Sequence, residues 1–400
     1  MQPLYTVRKK LIPTIMQKLL YFSILLCLPL IAGAADNGPG YPNIKIGVLS
    51  QFHIMHNQSL DFTSVNDAGG YGLTWERQMY LRRMRVLIGG NISERTSFFF
   101  ETDAPNIGYV NQSGEKNMRL SVFVQDAQIQ HVFSEHIGII AGLQLVGITR
   151  NGLQSAASLM AVDYGSHQFF ASGPLENLAG RDLGMNVRGF LFDRRLEYRA
   201  GLFSGKNEDR TSPYRFTARL NYSFIDREAG FFYTGTTLGS GKIMSLGGGI
   251  DLQDNYYGIA ADAFFDYPVF PFGSLTASVS YAYIDSGEPR EGRTDFSGQF
   301  PKQNIFFVET GLFIPSSNLQ PYLKYEMKDV REDTNDNGVA NKLRSGDRIG
   351  FGCNYYIAAH RMSVKLLYER ISGNYPIPAP PYFESVKRNQ IVLQIQYFTF

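Results

Sequence analysis

Residues 215–224 read RFTARLNYSF. Successive side chains of an extended chain point to opposite faces. Phe216, Ala218, Leu220, Tyr222 and Phe224 therefore share one side, and Arg215, Thr217, Arg219 and Asn221 the other. One face is apolar and closes on aromatic rings; the other carries full charges. The pattern recurs in 321–328 (PYLKYEMK) and 274–284 (SLTASVSYAYI). In the first, Leu323, Tyr325 and Met327 oppose Lys324, Glu326 and Lys328; in the second, Leu275, Ala277, Val279, Tyr281 and Tyr283 oppose Thr276, Ser278 and Ser280. A soluble sandwich alternates too, with its apolar faces meeting in a core. Aromatics gathered toward strand ends point instead to the interfacial girdles of a transmembrane barrel.

Working outward, segments of this kind run from about residue 44 to the last residue. They fall near 44–54, 76–91, 95–103, 119–133, 136–145, 181–192, 195–204, 213–224, 242–252, 255–266, 273–284, 302–314, 318–328, 345–357, 360–371 and 388–400. That predicts an all-β, antiparallel transmembrane barrel of about sixteen strands. Connections after even-numbered strands are mostly tight, such as Ser93–Arg95 and Asp193–Arg195; those after odd-numbered strands are mostly long and polar. Short periplasmic turns and long outer loops give this asymmetry. Two connections break it: 225–241 is long after an even strand, and the turn near Asp254 is short after an odd one.

The beginning of the chain differs. Arg8, Lys9, Lys10 and Lys18 precede the apolar run LLYFSILLCLPL and the small residues Ala32–Ala35. This reads as a secretory signal over 1–35, with the barrel over 36–400. Cys353 is then the one thiol left, so no intrachain disulfide is expected. Beyond the start, no apolar run reaches the roughly 18 residues of a membrane-spanning helix. The formal charge of +2 and the lack of a basic run with interleaved aromatics argue against nucleic-acid binding. The final stretch, KRNQIVLQIQYFTF, ends on Phe400. A terminal aromatic strand is what barrel-assembly machinery is expected to read. Phe398 and Phe400 share their face with Gln394 and Gln396, however, so a bulge near Tyr397 is needed to turn the last ring toward lipid.

Several stretches resemble the phosphate-selective porin O and P family: LRRMRVLIGGNISERTSFFFETD (81–103), VQDAQIQHVFSEHIGIIAGLQLVGITRNG (124–152), AGRDLGMNVRGFLFDRRLEYRAGLFSGKN (179–207) and LQPYLKYEMKD (319–329). The likeness covers most of the chain after the signal and is strongest over 80–205. It implies a sixteen-stranded barrel, usually a homotrimer, with the loop after the fifth strand folded into the pore; here that loop is 146–180. The sequence departs from the family after the fifth strand. Leu145 stands where a lysine is common and Gly147 where a proline is; Thr149 and Arg150 keep the character of the family's next two residues, serine and arginine.

A pore needs a polar lumen and a constriction that sorts solutes. Alternation places the cations Arg83, Arg85, Arg188, Arg199, Arg215, Arg219, Lys324, Lys328, Arg348 and Lys365 inside. It places the anions Glu101, Asp126, Glu197, Asp251, Asp262, Glu309, Glu326 and Glu369 there too. The balance leans slightly toward anion passage, and many of these charges would also pair across the wall. Arg83 and Arg85 crowd charge into the second strand and suit phosphate or carboxylate; alternatively they anchor the loop through Asp163 or Glu176. Arg150, Asp163, His167, Glu176 and Arg181 are candidates for the constriction, with Leu159, Met160, Phe169 and Phe170 holding the loop to the wall.

Other chemistry is thin. Asp333, Asn335, Asn337 and Gly338 resemble half a calcium loop, yet its twelfth position is Arg344. No other metal and no cofactor is expected, although His131 and His136 flank one turn. Three functions stand against one another: passive diffusion of small hydrophilic solutes, a structural or adhesion barrel with a filled lumen, and a barrel enzyme. No Ser–His pairing supports the enzyme. Small lumen residues such as Gly247, Gly249, Ser278 and Ser280 favour an open channel.

Overall fold

A computed structural model describes residues 40–65, 71–111, 114–118, 121–168, 180–206, 212–287, 296, 300–331, 344–376 and 383–400. The expected signal, Phe169, Phe170, Glu176 and the calcium candidates Asp333, Asn335 and Asn337 lie outside the described residues.

Among the described residues the chain forms β1 (Asn43–Val65), β2 (Tyr71–Asn91), β3 (Thr96–Asp103), β4 (Phe123–Ser134), β5 (Ile137–Leu145), β6 (Arg181–Leu191), β7 (Leu196–Phe203), β8 (Arg215–Ser223), β9 (Ile243–Gln253), β10 (Tyr256–Phe270), β11 (Gly273–Asp285), β12 (Gln303–Phe313), β13 (Leu319–Val330), β14 (Gly346–Tyr356), β15 (Met362–Pro376) and β16 (Phe383–Thr399). They close into an antiparallel barrel in which β1 pairs with β16. Closure matters because no water is present in hydrocarbon to satisfy an open edge.

The faces are inverted relative to a soluble protein. Leu220 is 55% exposed and Leu323 59%, while Arg219 and Lys324 beside them are 3% and 4% exposed. Charged side chains are inside and large apolar ones outside, as a barrel in lipid requires. This is a protein of the bacterial outer membrane. At one end, six connections take two to five residues each and a seventh, between β8 and β9, takes nineteen. The other end carries most of the long connections, with the tight β9–β10 turn at Asp254–Asn255 and the five-residue β1–β2 connection, expected as a long loop over 55–75, as exceptions.

The terminal strand departs from expectation. Pairing of β1 with β16 runs without a break from Val48↔Thr399 to Asn57↔Gln390, so no bulge occurs at Tyr397. Phe400 therefore faces the lumen. Its ring lies edge-on to Phe99, with centroids 5.7 Å apart, and Lys45 stands over it at 5.1 Å. The expected lipid-facing ring is corrected: Gly89 leaves the room that makes the inward position available.

Candidate functional site

The loop after β5 runs inside the barrel. It begins with Val146 and a buried 3-10 turn at Asn151–Leu153, and its described part reaches Gln168. Its backbone has no sheet partner for most of its length, so wall side chains satisfy it instead. Gln51 Nε2 donates to the Ala156 carbonyl at 3.1 Å and Gln396 Nε2 to Ala157 at 2.8 Å. Asn354 Nδ2 donates to Met160 at 2.7 Å, and Lys365 Nζ to the Leu159 and Ala161 carbonyls. Leu159 and Met160 are buried against the wall, as expected. The small lumen residues have a different role from the expected one. A Cβ at Gly249 would come within 2.9 Å of Ile148, and Ser280 donates to Gln168 at 2.9 Å. Gly249 and Ser280 make room for the loop, and Gly247 makes room for the Arg219–Asp262 pair.

A second segment enters from the opposite end. Residues 226–241 fold inward, and Tyr233 bridges to Gln154 of the loop. Ser155 N donates to the Tyr233 carbonyl at 2.9 Å and Tyr233 N to the Leu153 carbonyl at 3.0 Å. Gly235 passes so close that a Cβ there would lie 2.4 Å from the Ser158 carbonyl oxygen, which only glycine permits. His360 Nε2 donates to the Thr236 carbonyl at 2.9 Å.

The predicted residues divide into two groups. Arg150, Arg188, Arg199 and Arg219 hold the inward segments. Arg150 is fully buried, forks onto Glu228, and lies 3.7 Å above the Phe264 ring. Arg219 grips Asp262 and donates to the Ile148 carbonyl at 2.7 Å. Arg188 and Arg199 share Glu197 and donate to the carbonyls of Ala229, Gly230 and Phe231.

Arg83, Arg85, Asp163, Arg181 and Lys324 instead line two chambers between the loop and the wall. The loop-side chamber, about 310 Å³, is bordered by His53, Tyr80, Arg82, Arg83, Asp163, Lys324, Arg348 and Glu369. The turn-side chamber, about 270 Å³, is bordered by Arg85, Glu101, Arg181, Gln128, Gln130 and several phenylalanines. Tyr164 lines both. Its ring lies 5.4 Å from the Arg83 guanidinium, and its hydroxyl donates to the Gln154 carbonyl at 2.7 Å. Asp163 accepts from Arg82 at 2.7 Å and from Arg83 at 2.5 Å. Burial pushes the Asp163 carboxyl up, but these two guanidiniums hold it well below the usual carboxylate range. Arg85 is held by Glu101 and Asp103, each at 2.9 Å, so it does not reach Asp163. Arg181 pairs with Asp126 at 3.0 Å, and Asp126 is fully buried behind it.

Arg82 was not in the expected lumen set. Tyr80 and Arg83 are both buried although they lie three apart, so the inward face of β2 switches between them and brings Arg82 within reach of the loop. Glu228 and Tyr233 were also missed; the length of the β8–β9 connection was the signal that pointed to them. His131 and His136 do not come together on a metal. His131 bonds Thr96, and His136 Nδ1 donates to the Phe190 carbonyl at 2.8 Å.

A closed sixteen-strand barrel with a charged lumen and a loop folded inside has the architecture of an outer-membrane porin. The outer membrane channel DcaP of Acinetobacter baumannii shares the fold at TM-score 0.52 and 11% identity, over 91% of this chain and 99% of that one. OmpF of Salmonella typhi, in complex with daunomycin, shares it at TM-score 0.55 and 14% identity, over 90% and 98%. No family model and no curated protein matches the chain.

Proposed function

We propose that this protein is a passive outer-membrane channel for small hydrophilic solutes, with a mild preference for anions. One observation carries the reading: two chambers lie on either side of Tyr164, and Arg83 and Arg85, two residues apart on β2, border one each. A solute crossing between them passes the Arg83–Asp163 pair. The loop-side chamber is lined by Arg82, Arg83, Lys324 and Arg348 against Asp163 and Glu369, and the turn-side chamber by Arg85 and Arg181 against Glu101. The loop-side lining leaves positive charge in surplus, while the turn-side guanidiniums are matched by Glu101 and, behind the lining, by Asp103 and Asp126. Residues 146–180 are then the constricting loop, its described part anchored through Arg150 and through the bond of Arg219 to Ile148.

The resemblance to the phosphate-selective porin O and P family makes inorganic phosphate the first anion to test. Leu145, at the place of the family's lysine, is buried beside Leu153 and Tyr233, so a phosphate site here rests on the lining cations of the chambers, the β2 arginines among them. The same resemblance supports a homotrimer; the inward turn of Phe400 removes the lipid-facing ring on which the expected recognition of the terminal strand by the assembly machinery rested. Purified protein in planar bilayers tests the function: discrete conductance steps, a reversal potential on the anion side and block by phosphate are expected. A second reading, a structural barrel with a filled lumen, is favoured by the loop's bonds to β1 and to β13 through β16. Folded protein that gives no conductance would select it.

A further inference from the structure

The β8–β9 connection carries the sequence Phe231-Phe232-Tyr233. Tyr233 is buried and donates to Glu197 at 2.8 Å, which fixes the segment. Phe231 and Phe232 are left at the edge of the turn-side chamber. Phe232 lies edge-on to Phe99 with centroids 5.8 Å apart, Phe99 lies edge-on to Phe400 at 5.7 Å, and Phe231 stands at right angles to Phe232 at 4.9 Å. Phe398 completes the group. Rings drawn from β3, β16 and an inward segment thus converge on one cavity.

The geometry points to this chamber as a binding subsite for solutes with one aromatic ring as body and a carboxylate at one end. The inference rests on the channel reading above. Apolar ring surface that faces water is stabilised when a flat apolar solute covers it, and aromatic pairs add edge-to-face attraction to the area buried. The volume of about 270 Å³ lies near the lower bound of small-ligand pockets, about 300 Å³, which suits a single ring. Arg85 and Arg181 border the same cavity and Glu101 is the one carboxylate among the described lining residues. Arg85 Nε and Nη1 are taken by Asp103 and Glu101, so the charged end of the solute meets Arg85 through its remaining N–H groups while the ring rests among the phenylalanines.

The probe is benzoate, compared with acetate and benzylammonium, in planar bilayers with the full protein. Benzoate is expected to block the ion current at about tenfold lower concentration than acetate. Phe231→Leu with Phe232→Leu, which keeps the lining apolar, should weaken benzoate block several-fold relative to that variant's own acetate block, with discrete conductance steps as the sign of a folded channel. Equal block by acetate and benzoate, or a leucine variant that blocks like the parent, overturns the aromatic subsite. Block by benzylammonium as strong as by benzoate overturns the carboxylate assignment. If the protein passes no current, the channel reading fails. Calorimetric titration of benzoate into the detergent-solubilised protein then decides the subsite: binding lost in the leucine variant supports it, and no binding overturns it.

Discussion

Arg150 and Glu228 meet fork to fork, with guanidinium nitrogens 2.6 and 2.8 Å from the two carboxylate oxygens. The pair joins the loop after β5 to the segment after β8, so two inward elements from opposite ends of the barrel are clasped at one point. Removing one partner of a buried pair leaves the other charge uncompensated, at about 3–5 kcal/mol, whereas an apolar replacement of the pair is often neutral. Glu228→Ala should therefore release the clasp, lower the thermal transition and raise single-channel current noise. Arg150→Met with Glu228→Ala should recover most of the stability. A quiet, unshifted Glu228→Ala channel would show that the clasp holds nothing.

Ion selectivity depends on the β2 arginines. Arg83→Ala with Arg85→Ala removes two lining cations and uncovers Glu101 and Asp103, which Arg85 now holds. The reversal potential in a salt gradient should move toward cation selectivity, and the shift should shrink in high salt as screening grows. Asp163→Asn should move it the opposite way, since Arg82 and Arg83 both lose their carboxylate. Identical reversal potentials in parent and double variant would take these residues out of the filter.

These sites were unevenly legible in the sequence. Alternation placed every strand within a few residues at most ends, and it put Arg215, Arg219 and Lys324 on the inside, because period two comes directly from the pleat. The four most extended misses, at β1, β2, β15 and β16, are strands that continue beyond the alternating stretch into the long-loop end. Period two says nothing about where a connection folds. The anchoring of Arg188 and Arg199 to the carbonyls of 229–231 was therefore invisible, although the unusual length of that connection was plain. Nor could alternation show that Arg82 turns inward, since the face switch between Tyr80 and Arg83 falls beside the isolated bridge Leu81↔Ile107, which the sequence does not announce.

Acid should weaken the inward segments. Burial lowers His167 in the loop to about 4, with Glu326 opposing the shift, and lowers His360 in the β14–β15 turn to about 4, opposed by its bond to Thr236. The unfolded chain takes up these protons near 6.5. Stability is therefore full above about 6.5, declines as pH falls toward about 4, and depends no further on these groups below that. Thermal transitions measured from pH 7 to 4 should fall, and His167→Asn with His360→Asn should flatten the fall. A fall in the thermal transition that the His167→Asn with His360→Asn variant shares in full would contradict this assignment.

Gly89 and Phe400 set the width of the turn-side chamber together. A Cβ at Gly89 would come within 2.8 Å of the Phe400 ring tip, and the next atoms, on Phe98 and Phe99, lie at 3.5 Å. The ring is the movable partner, so Gly89→Val should drive it away from the wall and into the chamber. Overpacking of this kind costs about 1–3 kcal/mol, and conductance should drop because the displaced ring narrows the passage. Phe400→Ala alone should widen it. Combined with Gly89→Val it should cancel both the stability cost and the loss of conductance, as expected for residues in direct contact. If the two substitutions act additively in both readouts, the ring does not rest on Gly89, and the inward position of Phe400 is wrong.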